Sequence, residues 1–490
     1  MRTWWALCVL VAAAGAWLAA CGDSSEGSSA TPDAGALDAT VDGAAANDGA
    51  TGDSTVGTDG ASGDSAAVVD AAPDADAGLT DAGLTDAPFI DDASYNDFTD
   101  GSLWTTFNAA SVNVLSAGFW GGTFDGRYVY FSPEHNNTTW DGLVTRYDTQ
   151  SAFDAGAAWT TFDALQLDAG AGPFYGAAFD GRYVYFIPPA TGPGKIITRY
   201  DSQADFAAPA SWQVFDTTTV SSRSKGFLSA TFDGRYLYLV PYQAGGAFGY
   251  DITRFDTKGS FSDLASWAAF DTQTVAPTAG GFYGGLFDGR YVYLVPDANG
   301  VSGKAVRYDT QAPFATATSW QTFDTTTVNP LAKGFHGGAF DGRYIYFVPN
   351  HAVVSGSGVV ARFDTTGSFT QASAWSTFDL TTKNASAKGF ESGAFDGRYV
   401  YFVSSLTTTM ARYDTLAPFG SAASWGTVDT NSLPGGAGQA TSFVGSVFDG
   451  HFLYLVPQTA TGGYSGRVFR FDAKSPPHMP GLPAFSGSFL

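Results

Sequence analysis

The stretch "FDGRYVYF" fills residues 124–131, and near-copies of it start at Phe179, Phe232, Phe287, Phe340, Phe395 and Phe448. The starts lie 55, 53, 55, 53, 55 and 53 residues apart. A fixed period of this length marks one supersecondary unit, repeated so that neighbours bury a shared core. Two other marks travel with it. Arg-Tyr/Phe-Asp segments begin at Arg146, Arg199, Arg254, Arg307, Arg362, Arg412 and Arg470. A Trp followed three residues later by Phe occurs at Trp104, Trp159, Trp212, Trp267, Trp320 and Trp375, while Trp425 leads to Val428.

A unit of about 54 residues has room for four short strands and their turns. In "GGLFDGRYVYLVP", residues 284–296, Asp288-Gly289 reads as the centre of a two-residue type I′ hairpin, with positive φ expected at both central positions. Strand A enters this turn and strand B leaves it. The Arg-Tyr-Asp segment is strand C and the Trp-x-x-Phe segment strand D. Strand B is apolar on both faces, as in a sheet covered on both sides. Seven such four-stranded sheets predict an all-β, seven-bladed β-propeller. The ends agree. "SLWTTFN", residues 102–108, is a lone strand D, and the last repeat lacks one. The N-terminal strand is therefore expected to complete the last blade and close the ring. The propeller is assigned to residues 101–475, with a Pro-rich tail at 476–490.

The N-terminal part has a different composition. Residues 1–100 hold 18 acidic residues and one base, Arg2, whereas the rest holds 29 acids and 23 bases. The chain carries a net charge of −23, which argues against nucleic acid as a partner. The two cysteines are Cys8 and Cys21. Residues 1–20 contain an apolar run too short for a comfortable membrane span, and they lead into "WLAAC". This resembles the lipobox of a bacterial lipoprotein. The resemblance implies cleavage before Cys21, lipid on Cys21, and an envelope protein held at the outer membrane or cell surface. Gly22 follows the cysteine, so the common Asp retention signal at that place is absent. Residues 21–100 are rich in Ala, Asp, Gly, Ser and Thr. They hold too little apolar surface to offset chain entropy and are expected to form a flexible acidic tether, on the order of 50 Å in mean span. The repeat as a whole is similar to bacterial propeller lipoproteins with acidic Ala/Asp tethers, and it lacks the Gly-His…Trp-Asp pattern of WD repeats.

In so regular a chain, function must show as deviation. The interval from the strand C Arg to the next Trp is 13 residues in all six cases. The interval from the FDG Phe to the strand C Arg varies between 17 and 22 residues. The interval from strand D to the next FDG Phe changes once, from 17 to 20. Length variation thus falls in the B–C and D–A connections, which share one face of the disc, here the BC/DA face. Residue variation points to the same place. Each strand A begins at a repeated Phe, and the next position reads Trp120, Tyr175, Leu228, Tyr283, His336, Glu391 and Val444. Two residues before that Phe, lysine recurs at Lys225, Lys333 and Lys388. The B–C connections add Glu134, His135, Trp140, Tyr242, Tyr250, Asp297, His351 and Tyr464.

Trp120, Tyr175, Tyr283, His336 and Glu391, with the three lysines, are therefore the candidate ligand-binding residues, at the mouth of the central channel. Ring faces beside polar groups suit a glycan or a peptide. No H-E-x-x-H, G-x-S-x-G, Walker or cysteine–metal pattern is present, so no cofactor or metal is expected. The expected function is that of a monomeric, envelope-anchored binding propeller. Two alternatives stand beside it: a hydrolase or lyase with its active site at the channel mouth, and a structural scaffold in an envelope complex.

Overall fold

The computed structural model describes residues 93–190, 194–298, 301–350, 356–439 and 441–480. The signal sequence, Cys21, most of the tether and His351 lie outside the described residues. Blade 1 shows the pattern. Its strands are A (Phe119–Phe124), B (Tyr128–Pro133), C (Leu143–Asp148) and D (Trp159–Asp163), joined in that order into an antiparallel sheet. The other inner strands A are Gly176–Phe179, Phe227–Phe232, Phe282–Phe287, Phe335–Phe340, Phe390–Phe395 and Ser442–Phe448. Each touches the next, and the last touches the first, so seven sheets form a ring.

The FDGR turn differs from the expected type I′. Only the glycines have positive φ, 99° at Gly126, and Asp125 does not. Asp125 N–H donates to Tyr128 O, so Gly126-Arg127 are the central pair. This is a glycine-first turn, the II′ pattern, one residue later than the sequence suggested. The side chain of Asp125 is the reason. Its Oδ1 accepts from Arg127 N–H (2.8 Å) and Tyr128 N–H (2.6 Å), and its Oδ2 accepts from the Tyr130 hydroxyl (2.6 Å). The aspartate caps the turn from an ordinary backbone conformation and leaves glycine the only position that needs positive φ. Arg127 then reaches Asp148 at the end of strand C, through Nη2 at 2.7 Å. The same pairing recurs in every blade, with His451–Asp472 (2.9 Å) in the last.

Blades join through aromatic stacks. Phe162 of one strand D lies on Trp212 of the next, with ring centroids 4.2 Å apart and planes within 6°. Phe107–Trp159, Phe215–Trp267, Phe270–Trp320, Phe323–Trp375 and Phe378–Trp425 repeat this contact. Strand C arginines cross the same seam: the Arg146 guanidinium sits 3.9 Å from the Tyr128 ring of its own blade and 4.0 Å from Phe206 of the next.

The ring closes as expected, by Trp104–Asn108 pairing antiparallel with Arg467–Asp472. The closing segment is longer than the sequence reading allowed. Residues 93–100, given to the tether by composition, belong to the propeller: Ser94–Tyr95 pair with Lys474–Ser475. Phe98 is buried, and its carbonyl accepts from Trp104 Nε1–H at 2.9 Å. In the blades that follow, the Phe six residues before the Trp does the same, as Phe153 does for Trp159 at 3.1 Å. Phe98 is the copy of that Phe in blade 7. At the C-terminal end, His478 N–H donates to Gly450 O, so the start of the Pro-rich tail lies on the last FDG turn.

Deleting residues 93–108 removes an outer strand and uncovers the Arg467–Asp472 edge. The expected result is aggregation or loss of a single cooperative melt, read by size-exclusion chromatography and calorimetry. A monomeric deletion with the melting curve of the full chain would refute closure by this strand.

Candidate functional site

In every blade but the second, the deviating residue of strand A sits at a break in the ladder, and in blade 2 Tyr175 immediately precedes the strand. Phe282 pairs with Pro296 and Gly284 with Val295, so the register slips across Tyr283. The same slip falls at Trp120, Leu228, Glu391 and Val444, and across His336-Gly337. A bulge turns a side chain out of its regular direction. Here it takes the one variable residue of the strand out of the blade-to-blade packing and towards the axis. The strands are close enough there to need small neighbours. A Cβ at Gly337 would meet the Glu391 carbonyl at 2.9 Å.

Opposite the repeated Phe of six blades stands a residue near the end of strand B, a proline in all but blade 6, and the residue after it gives a second set: Glu134, Tyr242, Asp297, Asn350, Ser405 and Gln458. The sequence reading picked out Glu134, Tyr242 and Asp297 but missed Asn350, Ser405 and Gln458. Asn350 and Gln458 stand immediately after a "VP", as Tyr242 and Asp297 do, while Ser405 follows "VS" and carries no such mark.

The two sets interlock. Glu391 lies at the centre, and its Oε1 accepts from the Tyr283 hydroxyl and pairs with His336 Nδ1 at 2.9 Å. Its Oε2 accepts from Asn350 Nδ2 (2.8 Å) and the Ser405 hydroxyl (2.6 Å). His336 Nε2 lies 3.5 Å from Asp297 Oδ1, and Asp297 Oδ2 accepts from the Tyr242 hydroxyl at 3.0 Å. The Tyr283 and His336 rings stack at 3.6 Å. On the other side of the axis Trp120 stacks on Tyr175 at 4.6 Å, and Tyr175, Leu228 and Tyr283 share an apolar cluster. Of the five expected site residues, Tyr175, Tyr283, His336 and Glu391 are buried, and Trp120 alone is partly exposed. Trp120 Nε1 has no hydrogen-bond partner among the described residues. Lys333 and Lys388 are half-buried and Lys225 exposed, in the D–A connections, and none joins the axial network. Tyr250 packs over Gly280 instead.

The charges follow from this geometry. Burial alone would push the His336 pKa down, but Glu391 and Asp297 outweigh it and raise it to about 9. Burial would likewise raise Glu391, yet His336 and the surrounding donors hold it below the usual carboxylate range. Glu134 has no cation beside it. Burial pushes it up to about 8, the Gln458 amide (2.8 Å) counters this weakly, and the Glu391 charge adds to the rise. At neutral pH the mouth thus holds an imidazolium paired with the Glu391 carboxylate and facing Asp297, beside a protonated glutamic acid. An imidazolium with a carboxylate on each nitrogen has no lone pair to offer as a general base. It acts as an ionic clamp between blades 4, 5 and 6. Among the described residues no group of His, Cys, Asp and Glu is placed to hold a metal ion.

The two faces differ in kind. The A–B and C–D turns carry the seven Arg/His–Asp pairs. Of nine exposed large apolar side chains among the described residues, seven lie on the BC/DA face: Val112, Val114, Leu115, Trp140, Val301, Leu331 and Leu406. Leu264 and Leu416, in C–D connections, are the other two.

No family model and no curated protein matches the chain. Among solved structures it is similar to a catalytically inactive histidine-to-alanine variant of virginiamycin B lyase from Staphylococcus aureus with quinupristin, at 13% identity over 75% of this chain and 98% of that one, with a TM-score of 0.50. YCF48 from Cyanidioschyzon merolae matches at 13% identity over 75% and 98%, TM-score 0.48. The Pan2 WD40 domain of Neurospora crassa matches at 10% identity over 79% and 98%, TM-score 0.47. At these identities the likeness is one of fold.

Glu134 supplies a test of the buried mouth. Its folded pKa, about 8, lies above the ordinary 4.5, so as pH rises between those values the unfolded chain loses a proton that the fold retains. Stability therefore falls across that window and levels off above it. His336, raised from 6.5 to about 9, acts in the same direction: its contribution is full below pH 6.5 and lost as pH rises through 9. Glu134→Gln removes the first effect alone. Its melting temperature should match wild type near pH 4.5, exceed it by a margin that grows to pH 8, and hold that margin beyond. A variant no more stable than wild type at pH 8 would contradict a buried, protonated Glu134.

Proposed function

We propose that this chain is a binding propeller that meets its ligand with the BC/DA face. The observation that carries the reading is the contrast between the faces. One is saturated by seven ion pairs made within the blades. The other gathers the exposed apolar side chains, the variable loop lengths and every axial deviation from the repeat. Exposed apolar side chains cost solubility and recur where something covers them. The regular turns also make a poor recognition surface, because their polar groups already bond to one another. The clamp of Asp297, His336 and Glu391 serves this function by holding the inner strands in one arrangement beneath the face.

A lyase or hydrolase at the channel mouth is the second reading. The buried His–Glu–Asp–Tyr cluster and the fold likeness to virginiamycin B lyase speak for it. The protonation and burial of His336 weigh towards binding. The location we propose is the cell envelope, with lipid on Cys21 as the anchor and the acidic segment as spacer. That part of the reading rests on the sequence alone.

A screen of the full chain against oligosaccharides, peptidoglycan fragments and envelope proteins tests the face. A ligand found there should be lost in the double variant Val114→Asp/Leu331→Asp and kept in Leu264→Asp/Leu416→Asp. The opposite pattern would place the site on the wrong face, and turnover abolished by His336→Ala would establish the enzyme reading. Separately, Cys21→Ala should release the protein from the membrane fraction or block its maturation, and normal membrane retention would contradict the lipid anchor.

A further inference from the structure

The B–C connection of blade 1, "HNNTTW" at residues 135–140, folds on itself and onto blade 7. Asn136 Oδ1 accepts from the backbone N–H of Thr138 (3.1 Å) and Thr139 (3.0 Å), and His135 and Trp140 form a bridge pair. Asn137 takes a left-handed conformation, φ 71°, and its amide meets the backbone of Tyr464. Its Nδ2 donates to Tyr464 O at 3.0 Å, and its Oδ1 accepts from Tyr464 N–H at 2.7 Å. The three rings pack in consequence. His135 stacks on Tyr464 at 4.4 Å, and Trp140 stands edge-on to His135 at 5.2 Å. Trp140 is nevertheless 48% exposed. Its indole is held in place by a built loop and left open to solvent.

We propose that Trp140, His135 and Tyr464 form a subsite for one neutral pyranose ring of a glycan. This rests on the BC/DA-face reading and narrows it to a ligand class. Three observations select the class. First, the exposed surface is uncharged. Residues 135–140 and the facing segment 459–465 contain no Asp, Glu, Lys or Arg, the flanking Glu134 and Asp141 are buried, and burial lowers the His135 pKa. An ionic ligand finds no counter-charge on this surface. Second, the rings offer polar edges around an apolar face. His135 Nδ1 accepts from Asn137 N–H at 3.1 Å, so the neutral ring carries its proton on Nε2. That N–H, the Trp140 indole N–H and the Tyr464 hydroxyl have no hydrogen-bond partner among the described residues. A sugar ring matches this arrangement, with C–H groups on one face and hydroxyls at its rim. Third, a peptide added as a strand has no backbone to pair with here. Asn137 already occupies both backbone groups of Tyr464, so the short Gly463–Tyr464 edge is closed.

The test is calorimetric titration of the full chain with neutral glucose-, mannose-, galactose- and N-acetylglucosamine-based oligosaccharides, beside a sulfated and a uronic-acid oligosaccharide. At least one neutral probe is expected to bind. Its affinity should be nearly unchanged between low salt and about 0.5 M NaCl, since no ion pair is involved. Trp140→Ala should weaken it about tenfold with an unaltered melting temperature, and Trp140→Phe should restore part of the loss. Binding by the anionic probes alone, binding indifferent to Trp140→Ala, or no binding of any neutral probe overturns the proposal. The two readings fail separately. A peptide or protein ligand lost in Val114→Asp/Leu331→Asp but kept in Trp140→Ala sinks the sugar subsite and leaves the face reading standing. A neutral sugar lost in Trp140→Ala but kept in Val114→Asp/Leu331→Asp supports the subsite and confines the site to blades 1 and 7.

Discussion

A ring of separate sheets is latched by backbone hydrogen bonds only where its two chain ends meet in one blade. Here Trp104–Asn108 supply the outer strand of the blade whose inner three strands come last in the chain. The rest of the structure depends on that pairing. The Phe107–Trp159 stack, which seats blade 7 on blade 1, exists because the closing strand presents Phe107. The B–C loop of blade 1 rests on the B–C hairpin of blade 7, and the Trp140 platform is built across that seam.

The repeat and its exceptions divide the work. In each unit the aspartate caps its turn, the arginine or histidine pairs with strand C, and the tryptophan receives a ring or, once, Val428 from the blade before. These contacts tie down the turn aspartates and arginines of one face and build the blade-to-blade seam. Each exposed ion pair contributes only about 0–1 kcal/mol. Their common effect is to hold seven hairpins in one geometry. The bulge after the strand A Phe, present in six of the seven blades, then releases one side chain from that geometry. Because it is released at the axis, where seven blades converge, residues 55 or 108 apart in sequence come into contact, as His336 and Tyr283 do with Glu391.

The axial cluster carries unusual charge for so buried a place. A single buried carboxylate without a cation would be strongly disfavoured, and Glu134 responds by holding its proton. Glu391 keeps its charge because His336 stands beside it, with Asp297 on the far side of the imidazole. Removing one member leaves the others unpaired in a dry site, so the cluster acts as a unit. Its cost is repaid in definition: four donors from three blades fix one carboxylate.

The sequence by itself determined the blade number, the strand order, the closure by residues 102–108 and the face on which variation collects, because all of these are read from spacing along a strict period. It also marked Trp120, Tyr175, Tyr283, His336 and Glu391 as one axial set. Phe98 was legible too, six residues before Trp104, but the acidic composition around it concealed the copy. The centre of the FDGR turn was not legible, since Asp-Gly suits more than one hairpin and only the hydrogen bonds of the Asp125 side chain select between them. Asn350 and Gln458 stand at the marked place after "VP" but read as ordinary loop amides, and Ser405 carries no mark at all. Whether an axial side chain is open or sealed was decided by the tertiary structure alone. Tyr283 and Trp120 occupy equivalent positions in the period, yet one is buried beneath Glu391 and Tyr242 and the other reaches solvent. Exposure depends on what the other six blades place around the axis, and a repeat read one unit at a time does not contain that sum.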